Sequence, residues 1–187
     1  MKKLLWTTFC VVLVLSGCSQ ENKEKAGYDN NSNNNDNSAS LTALSAAELA
    51  EYLPDGLSGY PYASDIDSII FDHEGVKYIT VVRDYKKTEN ENVTISLQDY
   101  AEAQELYIGK SMAWGKQSDY ETETVTFTFV QIAGEDARKK ASKTNDYKDI
   151  IMGVKDRFVL SIEGDMESFN LFVSTLENIA AELKAID

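Results

Sequence analysis

Hydrophobic and polar positions follow three different patterns along this chain. Residues 4–15 form a nearly continuous apolar run behind Lys2 and Lys3. Residues 19–40 contain one aromatic, Tyr28, and no Leu, Ile, Val, Phe or Met. From Leu41 onward the apolar residues recur with periods near two and near 3.6, the signatures of strands and helices.

Within that third region the pattern predicts individual elements. Ser45 and Glu48 fit a capping box, with Leu44 and Leu49 at its staple positions, so a helix starts at Ser45 and stops near Leu53 before Pro54. Residues 66–71 and 76–85, joined at Asp72-His73-Glu74-Gly75, read as a hairpin. In its second strand Val76, Tyr78 and Val82 face one way and Ile79, Val81 and Tyr85 the other, as in a strand covered on both sides. Residues 93–98 alternate cleanly, and Asp99 to Glu102 resembles a second capping box opening a helix to about Trp114. Residues 123–132 set Val125, Phe127 and Phe129 against Thr124, Thr126 and Thr128. Residues 147–154 and 157–163 form another hairpin around Lys155-Asp156. Residues 134–145 fit no single pattern and have room for a short edge strand. Phe169, Phe172, Leu176, Ile179 and Leu183 make the stripe of a final amphipathic helix, with Asp165 as its expected N-cap. The fold class expected is α+β: a mostly antiparallel sheet of about six strands with three helices packed on it.

Length and charge divide the chain further. Its 187 residues allow one core of ordinary size, over residues 41–187. That region holds 14 Lys and Arg against 27 Asp and Glu, a net charge of −13. So acidic a domain argues against nucleic acid as a partner, because affinity for phosphates comes from Lys and Arg. Residues 18–40 read as a disordered polar tether, too poor in apolar side chains to offset the entropy of ordering.

The first segment reads as an export signal over residues 1–17. A dozen apolar residues behind two lysines is too short for a transmembrane helix. Leu15-Ser16-Gly17-Cys18 resembles the lipobox of bacterial lipoproteins. That resemblance implies cleavage before Cys18, lipidation of its thiol and membrane attachment through the lipidated N-terminus. Ser19 after the cysteine implies the outer membrane, facing the periplasm, in a cell with two membranes. In a cell with one membrane the anchor lies in its outer leaflet. With the polar tether, the segment Leu53-Pro54-Asp55-Gly56-Leu57-Ser58-Gly59-Tyr60 and the strand–Gly–helix pattern from Arg157, the whole resembles small uncharacterised bacterial lipoproteins. The element order is also similar to the antiparallel sandwich of photosystem-type extrinsic proteins, a likeness of fold alone.

Candidate chemistry is sparse. The cysteines are Cys10, in the segment to be removed, and Cys18; the one histidine is His73. These cannot build a Cys/His zinc site, and no thiol nucleophile remains in the domain. His73 has no nucleophile elbow to accompany it. Asp65, Asp67, Asp72 and Glu74 bracket one strand without the glycine and spacing of a calcium loop. No cofactor, metal or catalytic constellation is expected, and the chain reads as a non-enzyme. Two groups remain. Arg138, Lys139, Lys140 and Lys143 reverse the local charge and are candidates for an anion or an acidic partner. Tyr52, Tyr60 and Tyr62 are candidates for an aromatic platform. The functional expectation is a lipid-anchored module binding an envelope protein, peptide or glycan. A small-ligand or lipid carrier is the alternative, and a carboxylate-dependent envelope hydrolase ranks behind both.

Overall fold

A computed structural model describes residues 42–89, 91–115, 117–165 and 169–186, with His73 described by its backbone alone. Cys18, the signal and the tether lie outside the described residues.

The chain order is α1 (Ala46–Ala50), β1 (Tyr62–Ala63), β2 (Asp67–His73), β3 (Val76–Lys86), β4 (Asn92–Asp99), α2 (Gln104–Ser111), β5 (Tyr120–Glu121), β6 (Val125–Ile132), β7 (Glu135–Ser142), β8 (Tyr147–Val154), β9 (Phe158–Asp165) and α3 (Asn170–Lys184). All nine strands join one antiparallel sheet, ordered β1-β3-β4-β9-β8-β7-β6-β5, with β2 on the same side of β3 as β1. Two meanders, β2–β4 and β5–β9, meet at the β4–β9 seam, where Ile95 lies opposite Ile162 and Leu97 opposite Leu160. The α+β class and antiparallel sheet agree with expectation; the strand count is nine rather than about six. Two of the extra strands, β1 and β5, have two residues each, too few to alternate. The third, β7, reads Glu-Asp-Ala-Arg-Lys-Lys-Ala-Ser and buries only Ala137 fully. It is an interior strand between β6 and β8, where the expectation was an edge.

Tight turns set the hairpin registers. Glu74 and Gly75 join β2 to β3, and Ala133 and Gly134 join β6 to β7, all with φ between 53° and 81°. Two successive residues of positive φ are the primed turn whose twist matches that of paired strands. Lys155 and Asp156, at φ 55° and 50°, do the same between β8 and β9.

The sheet's two faces are unequal. On the first, α1, α3 and residues 53–60 cover Ile79, Val81 and Tyr85 of β3, Val93, Ile95 and Leu97 of β4, and the matching residues of β8 and β9. The stripe of α3 reaches this core through Phe172, Leu176, Ile179 and Leu183. The α1 capping box forms: Ser45 N–H donates to Glu48 Oε2 (2.8 Å) and Glu48 N–H to Ser45 Oγ (3.3 Å). On the second face a smaller cluster of Tyr100, Ala103, Tyr107 and Trp114 seats α2 against Val159. Gly153 of β8 permits this. A Cβ there would stand 2.2 Å from the Tyr107 hydroxyl and 2.8 Å from Trp114 Nε1.

Two expected helix caps have other tasks. Asp99 ends β4 and binds Arg157 in a buried bidentate pair, with Nε to Oδ1 at 2.8 Å and Nη2 to Oδ2 at 2.7 Å. Its carboxylate also accepts from the backbone N–H groups of Leu44 and Ala101. Glu102 Oε1 accepts from Ala43 N–H, and α2 starts later, at Gln104. Both carboxylates therefore fasten the incoming N-terminal segment to the sheet. Asp165 ends β9, and the N-cap position of α3 is Phe169.

Candidate functional site

Strand alternation selects which side chains stand on the second face beyond α2. The registers place Val82 and Asp84 of β3 beside Thr94 and Ser96 of β4. Ser161 and Glu163 of β9 follow, then Tyr147, Asp149 and Ile151 of β8. Arg138 and Lys140 of β7 and Phe127 and Phe129 of β6 complete the row. Most of these residues line an open depression of about 460 Å³ with a polar floor.

Its centre is a charge cluster. Asp149, 8% exposed, receives Arg138 Nη2 on Oδ1 and Lys140 Nζ on Oδ2, both at 3.1 Å. The Arg138 guanidinium lies 5.4 Å from the Phe127 ring centre, and Lys140 Nζ lies 5.2 Å from that of Tyr147. The Tyr147 hydroxyl donates to Glu163 Oε2 at 2.6 Å. Burial, reinforced by this bond, raises its pKa well above the ordinary phenol value. Thr94 donates to Asp84 Oδ1 at 2.6 Å. Arg138 Nε is buried and has no partner among the described residues. Such a donor carries an unpaid desolvation cost that a ligand acceptor would relieve.

The structure distributes the sequence-derived candidates unevenly. Arg138 and Lys140 share the depression, but Asp149 holds both. Lys139 points to the opposite face, its Nζ 5.4 Å from the Phe169 ring centre. Lys143 binds Glu121 and the carbonyl of Thr122, both at 2.8 Å. The four cations thus do not converge. With Asp84, Asp149 and Glu163 beside it, the pair Arg138 and Lys140 stands in a near-neutral field rather than a cationic one. The tyrosines also separate. Tyr60 is buried, donates to the carbonyl of Asp165 (3.0 Å) and meets Phe172 edge-on. Tyr62 is exposed on β1, and Tyr52 lines a groove of about 360 Å³ with Leu57 and Ile179.

Sequence reading missed Asp149, Glu163, Tyr147 and the hydroxyls of Thr94, Ser96 and Ser161. A signal existed in the polar face of residues 94–98. What brings it to β8 and β7 is the β4–β9 pairing, which no local pattern encodes. Among the described residues, no group of three or more His, Cys, Asp or Glu is placed to hold a metal ion. No described helix is long and apolar enough to cross a membrane. Comparison with protein families, curated proteins and solved structures finds no match to the chain.

Proposed function

We propose that this chain is a lipid-anchored cell-envelope binding module that holds a hydroxyl-rich ligand, a glycan, on the open face of its sheet. The observation that carries the reading is the Arg138–Asp149–Lys140 cluster, with its unpartnered Arg138 Nε, set among hydroxyls. A saccharide offers neighbouring hydroxyls that donate to carboxylates and accept from guanidinium and ammonium groups. Asp149, Glu163, Arg138 and Lys140 supply that complement without a net charge that would select an ion. Thr94, Ser96 and Ser161 can each donate or accept, and Tyr147 adds a ring face. Attachment through Cys18 would keep such a site at the membrane surface, within reach of envelope polysaccharide.

Co-sedimentation of the full chain with purified, insoluble cell-wall glycan tests this reading. Retention should fall at least tenfold for Glu163→Ala and for Ser96→Val, both at positions that leave the core intact. Undiminished retention of both variants would sink the proposal. Anchoring is tested separately: Cys18→Ser should move the protein from the membrane fraction to the soluble one.

One geometric fact supports a second reading. Asp149 and Glu163 are directly opposite on β8 and β9, so their Cβ atoms are roughly 4.5–5.5 Å apart. Paired carboxylates can hydrolyse glycosidic bonds. Here both already accept hydrogen bonds from neighbours, which favours holding a sugar over cleaving it. Release of reducing ends from the same glycan, abolished by Glu163→Gln, would favour hydrolysis instead.

A further inference from the structure

The outer edge of β2 is the least guarded part of the sheet. Sheets normally blunt their edges with very short strands, Lys, Pro or bulges, because alternate N–H and C=O groups there lack a partner. The opposite end of this sheet follows that rule with the two-residue β5. By contrast, β2 runs seven residues, Asp67–His73, with no Lys, Pro or Gly. Among the described residues it pairs on one side only, with β3. Its centre is apolar and exposed on both faces, Ile69 at 63%, Ile70 at 58% and Phe71 at 37%. The edge is also firmly seated. The Phe71 ring stacks on Tyr78 at 4.9 Å and Tyr78 on Tyr100 at 4.8 Å, tying the strand to the α2 side.

We propose that this edge receives an extended segment of a partner protein, one with an apolar β-branched centre and Lys or Arg at both ends, added as a further strand. Backbone pairing supplies affinity in such strand addition, and alternate side chains supply selectivity. Charge identifies the occupant. Exposed Asp65 and Asp67 precede the apolar centre and Asp72 follows it, with Lys77 opposite Asp72 on β3. A segment with cationic ends meets these carboxylates favourably. A second copy of this chain does not. Two antiparallel β2 strands centred on Ile70 would bring Asp65 and Asp67 of each towards Asp72 of the other, between bodies each carrying a large negative charge. An anionic lipid surface would meet the same repulsion.

The probe is a blocked peptide, Lys-Lys-Val-Ile-Val-Ile-Val-Lys-Lys, with its Glu-flanked counterpart as control. Hydrogen exchange of the full chain at saturating Lys-flanked peptide should slow at least fivefold over residues 67–72. The Glu-flanked peptide should bind at least tenfold more weakly. Ile70→Lys should weaken binding at least tenfold with the thermal midpoint retained. Should that variant unfold, Ile69→Lys makes the same test from the other face. Equal binding of both peptides, or no protection in β2, would overturn the proposal. So would a dimer that Ile69→Lys dissolves, since the occupant would then be a second copy. Retention on glycan should be unchanged in Ile69→Lys, which separates this edge from the open face.

Discussion

At the scale of single residues, the Asp99–Arg157 pair has the largest expected effect. Asp99 is fully buried and Arg157 is 5% exposed, and the pair also bonds Leu44 N–H, Ala101 N–H and the carbonyl of Thr42. Removing one member leaves an uncompensated buried charge, a loss of about 3–5 kcal/mol. Asp99→Ala should therefore lower the urea midpoint sharply. A change below about 1 kcal/mol would mean that the pair is not the fastening described above. Gly153→Ala tests the second face. Its new methyl group must displace Tyr107 and Trp114, and overpacking of this kind costs about 1–3 kcal/mol. The change should appear as altered tryptophan fluorescence before global unfolding. The sequence showed Asp99 only as a plausible cap, because its partner lies 58 residues away. A capping motif and a buried ion pair require the same residue type, and only tertiary placement separates them.

Among the elements, alternation has split a run that is continuous in sequence. Arg138 and Lys140 serve one face of β7 and Lys139 the other. Charge reversal along this strand should therefore give an alternating phenotype. Lys140→Glu should abolish retention on glycan, whereas Lys139→Glu should leave it within about twofold. Equal losses would indicate a diffuse electrostatic attraction in place of a site. Long amphipathic helices and clean strands were legible: the stripe of α3, the 93–98 alternation and the hairpin turns at Glu74-Gly75 and Lys155-Asp156 stand where the pattern put them, whereas the turn at Ala133-Gly134 was not foreseen. What was illegible was β7, whose polar side chains are accommodated by cross-strand carboxylates and by their own aliphatic stems. Also illegible was the aromatic side of β6. Phe127 and Phe129 lie away from the main core, with the Tyr120 ring stacked against them at 4.6 and 6.4 Å. Period alone gives two faces but not which of them is covered.

Across the whole molecule, the two faces share one dependence on pH. Burial pushes the hydroxyls of Tyr85 and Tyr107 up to about 12, and those of Tyr100 and Tyr147 higher still. These groups are raised above their unfolded value near 10. Their contribution is therefore complete below pH 10 and is lost as pH rises through the folded values. Lys110, lowered by desolvation, acts in the opposite sense below its ordinary value, but it is one group against four. Stability should accordingly hold to about pH 10 and then fall steeply. The share of phenolate absorbance that belongs to these four rings should appear only together with the loss of circular dichroism. Complete phenolate formation ahead of unfolding would mean that these rings are not held as described.

The β4–β9 seam has a consequence for how the domain comes into being. Hairpins within each meander close over a few residues, but β4 must wait for β9, the last strand made. A chain emerging N-terminus first therefore presents β2–β4 as a three-stranded sheet with both margins open until Asp165 has appeared. Loop closure over so long a stretch is slow, and unpaired strand margins are where nascent chains associate wrongly. A holding factor present during synthesis would find its natural target in that interval, on the margin that the finished domain conceals.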